Sequence, residues 1–167
     1  VKYVEYLAVG NYRIAENASV GLENNKTEEG TIGEEYTIST YNIGFGAYTQ
    51  DFDFFMDSGV MKDGTEVTGT RARANSKESV ERAVSGAIEK ILSLQTDFSF
   101  FQEVDKSADR SYNVNEFEML KNAFADYSSS YSSNMHTGFL CYPLNDPIVQ
   151  TDSGIFTLPK YNISYAT

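Results

Sequence analysis

"FSFFQEVD", residues 98–105, joins a run of aromatic side chains to a cluster of polar and acidic ones. Three phenylalanines in its first four positions predict a strand built for burial, yet it runs into Gln102, Glu103 and Asp105. A buried strand that finishes in an amide and carboxylates at a sheet edge is one way to present acidic groups in a cleft. The ordered strand fixes the side chain and the loop beyond it admits solvent. The plainer alternative is that Gln102 and Glu103 only hydrate the strand end. At this level both readings stand.

Upstream, Val80, Val84, Ala87, Ile88, Ile91 and Leu92 recur at helical spacing, and Asn75 with Glu78 forms a candidate capping box. Downstream, Phe117, Leu120 and Phe124 share one helical face, with Asn113 and Glu116 as a candidate cap and its partner. "YTISTYNI", residues 36–43, is rich in β-branched and aromatic types and stops at Gly44, which predicts a strand with Ile38, Thr40 and Asn42 on one face. Between this strand and the first helix lies a long segment, Phe45 to Ala74, aromatic at first and then glycine-rich and basic. A connection of that length in one domain predicts a loop that flanks a binding site. "YSSSYSS", "GFLCYP" and "DSGIFTL" predict three further short strands. The order is strand, long loop, helix, strand, helix and a run of strands: a mixed α/β sheet with helices on one face. An α+β domain of ordinary connectivity is the alternative.

Bulk properties narrow the chemistry. The 167 residues suffice for one domain. A formal charge of −11, from 24 acidic and 13 basic residues, disfavours long duplex nucleic acid as a partner. One cysteine, Cys141, and one histidine, His136, exclude a disulfide framework and a Cys/His metal cluster within this chain, so only oxygen ligands remain. Mg²⁺ prefers oxygen, keeps several waters, and takes one or two carboxylates with substrate phosphate supplying more, a demand that Glu103 meets. Cys141, between Leu140 and Tyr142, reads as buried and inert.

Residues 1–35 read as a lead-in segment and surface loop. The apolar start "VKYVEYLAVGNYRIAEN" is too short to span a bilayer and reads as a first strand or as the remnant of a signal or anchor. It leans toward a protein held outside the cytoplasm. "SGIFTLPKYNISYAT" stops in strand-like sequence, so the chain reads as cut at this end too.

Taken in order, an Asn-Ile closing one strand (Asn42, Ile43), a covering helix, Gln102-Glu103 on the next strand and "DSGIFTLPKYNIS" downstream resemble the N-terminal part of the endonuclease/exonuclease/phosphatase superfamily, the DNase I-like fold. The turn Leu158-Pro159-Lys160-Tyr161-Asn162-Ile163 departs from the family pattern at Pro159, where serine is usual. The resemblance covers residues 36–167. It implies half of a four-layer α/β/β/α sandwich and a metal-dependent phosphoesterase, with Glu103 as ligand of Mg²⁺ (or Mn²⁺), Asn42 holding metal and phosphate, and Gln102 supporting the glutamate. The family's Gly-Asp-x-Asn and Ser-Asp-His motifs are not found here, and His136 precedes the Ser-Gly strand. The resemblance therefore implies a domain truncated before its C-terminal motifs, whose complementary half supplies base and acid, acting on a phosphate ester of open class. Arg71, Arg73, Arg110 and Tyr112 are candidate substrate contacts. Asp105 reads as a turn residue or as a carboxylate supporting the metal ligand, and Phe45, Tyr48, Phe52, Phe54 and Phe55 as a cover for the core or a substrate platform. The reading of a different class is a binding module that keeps the fold without the chemistry.

Overall fold

In the computed structural model, which describes residues 14–167, the chain runs β1 (Leu22–Glu23), β2 (Ile38–Asn42), β3 (Ser58–Val60), β4 (Glu66–Thr68), α1 (Lys77–Leu94), β5 (Phe98–Ala108), α2 (Glu116–Ala123), β6 (Ser129–Leu140) and β7 (Val149–Pro159). One five-stranded sheet has the order β1-β6-β7-β5-β2, and β3 and β4 form a separate hairpin. Within the five-stranded sheet β2 and β5 pair in parallel and the remaining neighbours pair antiparallel, so the fold is mixed α/β. Parallel neighbours need a long crossover. Here it consists of the 45–74 segment followed by α1.

Alternation along the strands sorts the side chains. Phe101, Val104, Phe156 and Leu158 pack with Ile91 of α1 and with Phe117 and Leu120 of α2 in one cluster, so both helices cover the same sheet face. Ser39, on that face of β2, is buried and bonds Thr96 and Ser99 through its hydroxyl. On the opposite face Ile38 and Ile155 remain 66% and 38% exposed, because no layer covers that side among the described residues.

Several local expectations are corrected. α1 is capped by Ser76, whose Oγ accepts from the Ser79 N–H at 3.1 Å, while Ser79 Oγ answers the Ser76 N–H; the box lies one residue beyond Asn75 and uses serine in place of Glu78. Asn115, not Asn113, caps α2 by accepting from the Glu118 N–H. "YSSSYSS" and "GFL" are a single long strand, because β6 has β7 as a partner over most of its length. Cys141, just beyond β6, is exposed and not buried. The 45–74 segment contains the β3–β4 hairpin. The lead-in is joined to the sheet: β1 pairs with β6, and Asn25 exchanges two hydrogen bonds with the Ile163 backbone. The reading of residues 1–13 as a strand or an anchor remnant lies outside the described residues.

Candidate metal and phosphate site

β5 does not end at Glu103. It continues to Ala108, and Glu103 occupies a bulge within it. Phe101 faces Phe156 and Val104 faces Gly154, so Gln102 and Glu103 together stand opposite Ile155 alone. The extra residue lets Phe101 and Val104 both enter the core and leaves Glu103 at φ +56°, half-buried. The bulge coincides with the end of the pairing with β2. Asn42 faces Gln102 in the last parallel pair, and the Ile43 N–H then donates to the Gln102 carbonyl at 3.1 Å. The structure thus ends β2 at Asn42 beside Gln102, one residue before Glu103 in the middle of β5.

The backbone turns sharply after Asn42. Its Oδ1 accepts from the Gly44 N–H at 2.9 Å, and Gly44 has φ +56° with the Tyr48 ring so close that a Cβ would stand 2.3 Å from it. Only glycine fits there. A cavity of about 290 Å³ opens between Asn42, Gly44 and Tyr48 on one side and Ala83 and Ala87 of α1 on the other; Glu103 does not line it. Tyr48 links the two parts. Burial raises the pKa of its phenol, and the nearby Glu103 carboxylate raises it further, while Arg110 opposes them. The hydroxyl therefore stays a proton donor at neutral pH.

Arg110, read from sequence as a candidate substrate contact, is buried with its guanidinium occupied. Its Nη2 donates to Asp105 Oδ1 at 2.9 Å and its Nε to Asp105 Oδ2 at 3.2 Å, and it stacks over the Phe45 ring. Asp105 is a fully buried strand residue, not a turn residue. Ser111 Oγ also donates to it, and its N–H donates to Glu116 Oε2. Glu116 is itself fully buried, and burial first, then the Asp105 charge, pushes its pKa well above the usual carboxylate range. Tyr112, just beyond, is 40% exposed. Arg71 pairs with Asp53 and bonds Asn75, and Arg73 pairs with Asp146, so both are held by carboxylate partners. The five aromatics expected as a cover or platform form a branched array: Tyr48 is tilted against Phe45 and meets Phe52 and Phe54 edge to face, Phe54 continues through Phe55 to Tyr142, and Phe45 packs against the core.

His136 stands on β6 opposite Asp152, two strands away from β5, a separation of about 10 Å from the spacing of the ladder. No group of three or more His, Cys, Asp or Glu side chains placed to hold a metal occurs among the described residues.

Comparison of the chain with protein families, curated proteins and solved structures finds no match in any of the three.

Two members of this network have roles that the sequence does not signal. Glu116 reads as a cap partner because it precedes a helical run, and its burial arises from the tertiary approach of α2 to β5. Tyr48 was one of five aromatics, and only its contact with Gly44 separates it from the rest; the "GFGAY" glycines were the available signal.

Proposed function

We propose that this chain carries the metal-ligand part of a metal-dependent phosphoesterase of the DNase I-like type, with Glu103 as the carboxylate for Mg²⁺ or Mn²⁺ and Asn42 orienting the cation or the phosphate. The observation that carries this reading is the parallel pairing that sets Asn42 opposite Gln102. β2 ends at Asn42, and in open α/β sheets ligands bind beyond the carboxyl ends of the strands. Bulges, in addition, recur beside active sites, where they re-aim a side chain.

The donor set fits a hard, hydrated cation. Glu103 offers a carboxylate, and Asn42 Oδ1 keeps a second lone pair after accepting from Gly44. Mg²⁺ keeps several waters and takes few protein carboxylates, so a site this sparse accommodates it only weakly until substrate oxygens join. When bound, the cation would neutralise phosphate charge and acidify a water. The chain's own residues would supply the anionic anchor at Glu103, amide N–H donors at Asn42 and a phenolic donor at Tyr48. His136 lies too far from this edge to act as base or acid here. Those groups belong, on this reading, to a complementary C-terminal half of the domain, whose sheet would pack on the face that leaves Ile38 and Ile155 open.

The second reading, a binding module without chemistry, draws on the lack of any three-residue metal cluster among the described residues. One assay separates the two. The gene product and the 167-residue chain are compared on a generic phosphodiester with Mg²⁺ and with EDTA. EDTA-sensitive turnover by the gene product, lost in Glu103→Gln, with none from residues 1–167 alone, is the expected result. Turnover that survives Glu103→Gln places the ligand elsewhere, and the absence of EDTA-sensitive turnover favours the binding module.

A further inference from the structure

We propose that Arg110 is the positioning residue of the Asn42–Glu103 edge, a buried clamp that grips the turn after β2 through Phe45 and the β5 bulge through Asp105. The proposal rests on the reading of Glu103 as a cation ligand. Asp105 lies two residues beyond Glu103 on β5 and is wholly buried, and Phe45 lies three residues beyond Asn42, also at positive φ (+50°). The Arg110 guanidinium joins them: its fork meets both carboxylate oxygens of Asp105, and its face lies 3.2 Å from the Phe45 ring centroid. Its carbonyl accepts from the Ala74 N–H at 2.9 Å, which fastens the far end of the 45–74 segment to the same point.

The chemistry requires arginine. A planar guanidinium can chelate a carboxylate and stack on an aromatic ring at once, whereas an ammonium can do only part of this. A buried ion pair contributes little net stability, and its best-attested use is to fix one register among alternatives. Register is what this edge must hold. The two-against-one bulge keeps Glu103 in a left-handed conformation that the surroundings have to enforce, and a slip of one residue would turn the side chains of β5 to the other face. Asp105, opposite Ser153, is the second ladder position after the bulge, so the clamp closes on the segment where such a slip would occur.

The test uses Arg110→Met and Arg110→Lys, the second keeping a charge for Asp105 without the fork or the stack. Amide hydrogen exchange is followed at Ile43, bonded to Gln102, and at Asp105, bonded to Glu116, with α1 as internal reference. Weak cation binding is read in the same samples from paramagnetic broadening of the Ile43 signal by Mn²⁺. Both variants should accelerate exchange at Ile43 and Asp105 together, leave α1 unchanged, and raise the Mn²⁺ concentration for half-broadening about tenfold, the usual effect of losing a residue that orients a metal ligand. If Arg110→Met does not fold, Arg110→Lys alone decides. Unchanged exchange at both amides, or an equal rise throughout α1, overturns the clamp. Loss of the clamp signature is independent of Glu103→Gln: if that variant leaves Mn²⁺ broadening intact, the ligand assignment fails while the exchange data still judge Arg110.

Discussion

Gly154→Ala should be among the most damaging single-methyl substitutions in this chain. Gly154 lies in β7, between Val104 of β5 and Ser133 of β6. A Cβ there would stand 2.2 Å from the Ser132 carbonyl oxygen and 2.8 Å from the Tyr131 ring. Ordinary contact begins near 3.4 Å, so the Ser132 backbone would have to retreat by about 1.2 Å. A ladder spaced at about 4.8 Å cannot absorb that without lengthening its hydrogen bonds. Overpacking in a close-packed interior costs roughly 1–3 kcal/mol. A weakened pair of ladder bonds adds about 1 kcal/mol each. The expected destabilisation is therefore about 3–5 kcal/mol, which for a chain of this size lowers Tm by roughly 6–20 °C. Thermal and urea unfolding followed by circular dichroism measures it. A Tm within 2 °C of the parent would mean that the strands do not approach as described, and the β6–β7 register would have to be revised.

Glu116→Gln tests the buried carboxylate. Its pKa is raised in the folded state, so above the ordinary carboxylate range the folded chain binds more protons than the unfolded one, and stability falls as pH rises through that interval. The amide removes this penalty, so the variant should melt higher than the parent at pH 8 and equally at pH 4; a difference independent of pH refutes the assignment. Ser76→Ala removes the α1 cap and should cost about 1 kcal/mol, near 2–4 °C in Tm, and Asn75→Ala less than that in the same melts. An equal or larger loss at Asn75 would restore the cap read from sequence.

The elements with strong internal periodicity were legible. The buried stripe of α1, Val80, Val84, Ala87 and Ile91, and that of α2, Phe117 and Leu120, follow from spacing alone. The strand with Ile38, Thr40 and Asn42 on one face was legible for the same reason. The cap positions missed by one or two residues, because serine, asparagine and glutamate crowd both starts and only backbone geometry selects among them. The backbone setting of Glu103 is not legible in the sequence. The sequence predicts a strand end, whereas the structure has a bulge, and a two-against-one mismatch depends on β7, more than 50 residues away. The same holds for Asp105. Its carboxylate looks like a turn signal next to Lys106 and Ser107, and it becomes a core residue only because Arg110 returns to it through the short helical turn Asp109–Ser111. Long-range pairing also decides that Arg71 and Arg73 are held by Asp53 and Asp146.

The proposed site places Asn42 and Glu103 against one cation, and titration of the isotope-labelled chain with Mn²⁺, read amide by amide, is the decisive measurement. The first signals to broaden should be those of Ile43 and Gly44 together with Val104, and Glu103→Gln should abolish this early broadening while the spectrum keeps its dispersion. Broadening that begins instead around His136 and Asp152, or that persists unchanged at Ile43 and Val104 in Glu103→Gln, would contradict it.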